Sequence, residues 1–194
     1  KSGGTLVYLV QPEPPSMASY ISTSGPIGLV APKIYEGLFD YDNDGKIIYV
    51  LAESHSVSSD GKTVTFKLRK GVKWHDGKSF TSDDVAFTVM NVLKKFHPRG
   101  PNSFREVTSI DTPDSHTAIF NLRNPAPYML RALSAYESPI VPKHLLEGTD
   151  IKSAKLGNNP VGTGPFKFVE WKKGQYVRLD KNKNYWRPGL PYLD

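Results

Sequence analysis

The chain has 194 residues, 38% of them hydrophobic, and carries 25 basic against 19 acidic side chains for a formal charge of +6. That length is ample for a sizeable core, and the composition excludes a disordered chain. The absence of cysteine excludes disulfides and thiolate metal sites, and no apolar run reaches the length needed to span a bilayer.

The basic residues lie scattered among carboxylates, densest from Trp171-Lys172-Lys173 through Arg178, Lys181 and Lys183. Such spacing suits a solvated strand face better than a nucleic-acid stripe. Lys1-Ser2-Gly3-Gly4 reads as a short flexible leader. It fits a mature chain whose signal peptide has been removed, and a cloning boundary equally well.

In chain order, Thr5 to Val10 is a run of strand formers stopped by Gln11-Pro12-Glu13-Pro14-Pro15, where proline removes backbone donors. Ile27, Val30, Ala31, Ile34 and Leu38 follow helical spacing, with Pro32 predicting a kink or a late start. Ile47 to Leu51 and Thr63 to Leu68 read as strands, the second alternating Val64, Phe66 and Leu68 with Thr65 and Lys67 after the turn signal Asp60-Gly61. Thr81-Ser82-Asp83-Asp84 opens the clearest helix, with Val85, Val89, Val92, Leu93 and Phe96 along one face and Pro98 closing it. Val107 to Asp111 and Thr117 to Leu122 form a hairpin around Pro113-Asp114. Short helices are predicted at Tyr128 to Leu133 and from Pro142 through Leu146, before a loop at Gly157 to Pro160. Phe166 to Trp171 and Tyr176 to Leu179 make a second hairpin through Lys173-Gly174, and Tyr185 to Asp194 forms no element. The whole reads as α+β.

Chemical motifs are sparse. Asp40-Tyr41-Asp42-Asn43-Asp44-Gly45 has the first half of a calcium loop, but Leu51 stands where the bidentate glutamate belongs, so an acidic turn is the better reading. Gly162-Thr163-Gly164 leads into Pro165 and a strand instead of a helix, which removes it from the phosphate-binding loops. His55, His75, His97, His116 and His144 occur singly, without ligand spacing to another donor. There is no Gly-x-Ser-x-Gly elbow and no Ser-x-x-Lys pair. Trp74, Trp171 and Trp186 are expected in packing roles. No catalytic residue, cofactor or metal site is assigned.

Three stretches carry more. They are Ile34-Tyr35-Glu36-Gly37-Leu38-Phe39 with Leu51-Ala52-Glu53-Ser54, then the run from Asp60 through Trp74-His75-Asp76-Gly77-Lys78 to Asp84-Val85, then Pro160-Val161-Gly162-Thr163-Gly164-Pro165-Phe166 with Asn184-Tyr185-Trp186. In this order they resemble the family 5 extracellular solute-binding proteins, the dipeptide, oligopeptide and nickel receptors of bacterial ABC importers.

That resemblance implies a periplasmic-binding-protein-like fold (class II, cluster C type) of two lobes. Residues 1–37 and 161–194 would belong to the sheet domain of the first lobe, 38–160 to an inserted α+β subdomain, and the second, carboxy-terminal lobe would be missing from this amino-terminal fragment. It further implies a non-enzymatic receptor, periplasmic or anchored outside the membrane and monomeric when whole. The receptor would pass a small solute or peptide to an ABC permease, without cofactor or nucleic acid. Ligand contacts would fall on Tyr20, Thr23, Ser24 and Gly25, with Phe104 as an aromatic leaning over the cleft or as a core residue. Family members more often show Leu-Asp-Pro where this chain has Met17-Ala18-Ser19. The rival readings are a hydrolase on a similar scaffold and a basic nucleic-acid-binding domain.

Overall fold

A computed structural model describes residues 3–194, so the reading of Lys1 and Ser2 as leader lies outside the described residues. Its centre is a four-stranded antiparallel sheet in the order β3 (Ala52–Val57), β4 (Thr63–Leu68), β6 (Thr117–Leu122), β5 (Val107–Asp114). β4 keeps the alternation of its sequence: Val64, Phe66 and Leu68 are buried against the core while Lys67 stays exposed. Its register is set by the turn before it. The Asp60 carboxylate accepts from Lys62 N at 3.0 Å and Ser58 Oγ at 2.6 Å, and Gly61 takes a positive φ of 69°.

One face of the sheet is closed by α2 (Ser82–Phe87), a π-helical stretch (Thr88–Leu93) and α3 (Lys94–Phe96). The start behaves as its sequence demands: the Asp84 carboxylate accepts from Thr81 N at 2.9 Å, satisfying an amide that the helix leaves free. Phe39, Phe66 and Phe120 meet at centroid distances of 5.6 and 4.9 Å, and Trp74 lies across Phe80 at 6.1 Å. A small hairpin, β1 (Phe39–Tyr41) and β2 (Ile47–Tyr49), borders this cluster. Its turn is the acidic segment, in which Asp42 Oδ1 accepts from Asp44 N and Lys46 N at 2.9 Å each.

A second apolar cluster joins α1 (Gly25–Val30), Ile34 and Tyr35 to Val92, Val141, Leu146, Ile151 and Leu156. In place of a kink or a late start, α1 stops at Val30 and the chain continues through Pro32 as a 3-10 turn, Ala31–Lys33. β7 (Phe166–Lys172) and β8 (Tyr176–Lys181) form a separate two-stranded hairpin. Glu13 caps its turn, accepting from Trp171 Nε1 at 2.7 Å and Gly174 N at 2.9 Å.

Three expectations are corrected. Among the described residues, Thr5 to Val10 joins no ladder, because no strand lies beside it to supply the backbone partners that define one. Leu6, Val7 and Leu9 are 65%, 88% and 84% exposed, so neither face is covered. The helix expected at Tyr128 to Leu133 is a 3-10 helix, Pro127–Ala132. β3 escapes notice in the sequence because Glu53 to Ser56 is polar; this edge strand has only β4 beside it.

Candidate functional site

Thr23 and the extended residue Ser24 lead into α1, whose first residue is Gly25. Ser24 stands at the helix cap with φ −60° and ψ 127°, and its carbonyl accepts from Gly28 N at 3.0 Å. Gly25 is exposed, and Thr23 and Ser24 are half-buried. Thr23 donates no backbone hydrogen bond and accepts none among the described residues. A residue with both backbone groups unengaged at a surface is the feature that backbone recognition of a peptide requires.

Sequence reasoning missed what stands beside this link. The ring of Tyr136 packs on Gly28, one helical turn beyond Ser24, so closely that a Cβ at 28 would overlap it. Tyr136 is nevertheless 44% exposed. The Arg99 guanidinium lies 6.0 Å from its ring centroid and pairs with the Glu137 carboxylate. That pairing raises the Arg99 pKa, chiefly through the hydrogen bond. A half-exposed aromatic face with a cation at its edge suits a small polar or peptidic ligand. The available signal was a pair of glycines, since Gly37 likewise has no room for a side chain against the backbone of 133–135.

Two expected residues do not reach this surface. Tyr20 is fully buried, edge-on to Tyr35 at 6.3 Å, and burial pushes its phenol up to about 12. Phe104 is 1% exposed within the main cluster. Phe104 thus takes the core alternative of its two readings, and both rings gain from leaving water.

A surface depression of about 360 Å³ lies elsewhere, between Lys70–Lys73, Ser79–Thr81 and Ser115–His116. It brings together no nucleophile, base and orienting group in hydrogen-bond sequence. The histidines serve packing and loops. His75 Nε2 is 2.9 Å from Gly164 O, and Gly162 N donates to its Nδ1 at 3.3 Å. Burial pushes the His75 imidazole down to about 4, so it is neutral, with Nε2–H donating to Gly164. His144 pairs with Asp76 at 2.6 Å.

The four-stranded sheet, the β7–β8 hairpin and the Gly-Thr-Gly loop ahead of that hairpin make an α+β unit of the periplasmic-binding-protein-like class, as comparison with known proteins shows. Residues 46–194 match the family model for bacterial extracellular solute-binding proteins, family 5. The chain belongs to that family. It is 36% identical over 171 residues to the glutathione-binding protein GsiB of Pectobacterium atrosepticum, covering 85% of this chain and 32% of that one. The oligopeptide-binding protein AppA of Bacillus subtilis is 35% identical over 203 residues, across 100% of this chain and 36% of its own length. The structure of AppA in complex with a nonapeptide superposes with a TM-score of 0.89 at 33% identity, covering 100% of this chain and 39% of that one. Campylobacter jejuni NikZ, in complex with Ni(L-His), gives 0.78 at 30% identity over 91% of this chain and 35% of its own. The chain thus spans about a third of the length of the curated relatives it matches.

Proposed function

We propose that this chain forms part of the first lobe of an extracytoplasmic receptor that captures a short peptide between two lobes and delivers it to an ABC permease. The observation that carries the reading is the unengaged Thr23 backbone just before α1, near exposed Tyr136 and Arg99, in a chain of this family. Strand-like pairing with a peptide backbone needs no reactive group and tolerates many side chains. Residues 1–37 and 161–194 would share the sheet domain and 38–160 the inserted subdomain, with the bare apolar run Leu6–Leu9 awaiting a second layer of the same lobe. The receptor would work as a monomer, in the periplasm or held at the outer face of the membrane. Named relatives bind glutathione and oligopeptides, and glutathione is itself a tripeptide.

Native mass spectrometry of the full-length protein, purified from its host, should show a retained mass in the di- to oligopeptide range. A retained metal–amino-acid adduct would overturn the peptide class, and turnover of a peptide library would overturn the receptor reading. In calorimetry with the identified peptide, Arg99→Ala and Tyr136→Ala should each weaken binding by about tenfold, a loss of about 1.4 kcal/mol. Unchanged affinity in both variants would remove this surface from the site.

A further inference from the structure

The first and third of the sequence stretches that suggested the family meet at one buried acid which the proposed ligand surface does not use. Glu36 is 5% exposed and lies between α1 and β1. Its Oε2 accepts from Thr163 Oγ1 at 2.8 Å and from Trp186 Nε1 at 2.9 Å, and its Oε1 accepts from Tyr185 OH at 2.6 Å. Its own backbone carbonyl accepts from Ile140 N at 2.9 Å. One residue therefore ties the outgoing chain, the return loop at 162–164, the segment after β8 and the strand-like stretch at 140.

Everything around Glu36 is packed to the same end. A Cβ at Gly162 or Gly164 would overlap the Ile34 carbonyl, to which Gly164 N donates at 2.8 Å. The Trp186 indole is flanked by the guanidiniums of Arg69 and Arg187, at 4.2 and 4.6 Å from its centroid. Arg69 Nε in turn donates to Val50 O at 3.0 Å, and Arg187 to Tyr49 O at 3.5 Å, at the end of β2 and the link from it into β3 of the four-stranded sheet. His75 and Lys167, joined by a 3.0 Å bond from Lys167 Nζ to His75 O, close the far side of the loop. The charged and titratable groups facing the junction are thus Arg69, Arg187, Tyr185, His75 and Lys167.

We infer that Glu36 is a positioning residue whose carboxylate pins the return loop and the Tyr185–Trp186 segment to the outgoing chain, so that the β7–β8 hairpin and the four-stranded sheet are held as one rigid body. Three donors converging on two oxygens require an acceptor at each oxygen. Glutamine meets two thirds of that demand: its oxygen accepts from Thr163 and Trp186, while its amide donates to the Tyr185 oxygen and keeps that hydroxyl in contact without accepting its hydrogen. Alanine leaves all three donors buried and unpaired. Burial raises the Glu36 pKa, with the three donors and Arg187 pulling the other way, for a net increase. A carboxylate whose folded pKa lies above its unfolded value favours the fold most in acid. Its contribution is present below the unfolded value of 4.5 and declines as pH rises through the folded value.

The carboxylate pin would hold whatever the solute, and its test uses none. Hydrogen exchange on the full-length protein follows the amides of Gly164 and Asn182, which donate to Ile34 O and Pro165 O at 2.8 Å each. Glu36→Ala should speed exchange at both by at least about tenfold while β4 and β6 amides hold, and Glu36→Gln should restore protection to within about twofold. Unchanged exchange at Gly164 in Glu36→Ala, or equal loss in Glu36→Gln, would overturn the inference. If the alanine variant does not fold, melting of wild type and Glu36→Gln against pH decides. The wild type should lose midpoint relative to glutamine as pH rises above about 4.5, and parallel curves would overturn the inference.

Discussion

β4 and the run Thr5–Val10 are written in nearly the same alphabet, yet they have opposite fates. Both are six residues rich in β-branched and large apolar types. β4 lies between β3 and β6 with Val64, Phe66 and Leu68 buried, whereas Thr5–Val10 has no ladder partner among the described residues and leaves Val7 88% exposed. Strand propensity is a fitness for a pleated, half-buried surface, and without a neighbour it has nothing to act on. One region of the molecule completes its own burial, and the other presents an apolar run without a cover.

The sharpest way to break that contrast is inside the completed region. Phe66 is fully buried among Phe39, His55 and Phe120. Phe66→Ala should destabilise the protein by about 3–5 kcal/mol in urea denaturation, the range for emptying an aromatic site. A loss below about 1 kcal/mol would mean that the core is not the closed unit described.

The next effect is one of pH, where His75 holds the 162–164 loop. The folded pKa of His75 is depressed from 6.5 to about 4 by burial, so its contribution is present above 6.5 and is lost as pH falls towards 4. The loss should approach about 3 kcal/mol, because each pH step between those two values is worth about 1.36 kcal/mol. His75→Gln should start less stable but lack this part of the acid slope. Urea midpoints of both proteins from pH 7 to 4 would measure it, and identical slopes would place the titration elsewhere.

The smallest effect belongs to the uncovered run. Leu6→Ser and Val7→Ser should change the stability of this chain by less than about 0.5 kcal/mol, because those side chains are already in water. A large loss in the same assay would show that the run is covered.

Much of the fold was legible because local rules decide it. The β4 boundaries, the Asp84-supported start of α2 and the Lys173-Gly174 hairpin all follow from alternation, caps and turn residues within a few positions of one another. The candidate site was legible only in part. Thr23–Gly25 came from a resemblance. Arg99 and Tyr136 did not, since each lies far along the chain from that link and only Gly28 and Gly37 hint at the close packing that brings them there. Of the two aromatics named with Thr23–Gly25, Phe104 takes the core alternative and Tyr20 is buried, since an aromatic ring carries no mark of which side of a helix turn or loop it will occupy.

The sequence by itself settled the α+β pattern, the lack of thiol chemistry and the family, since periodicity, residue type and ordered motifs are properties of the chain. Tertiary structure alone decided that Glu36, Thr163, Tyr185 and Trp186 share one hydrogen-bonded centre, although up to 150 positions separate them. Such a centre has no local signature, because burial of a charge and the donors that offset it arise only when distant segments are packed together.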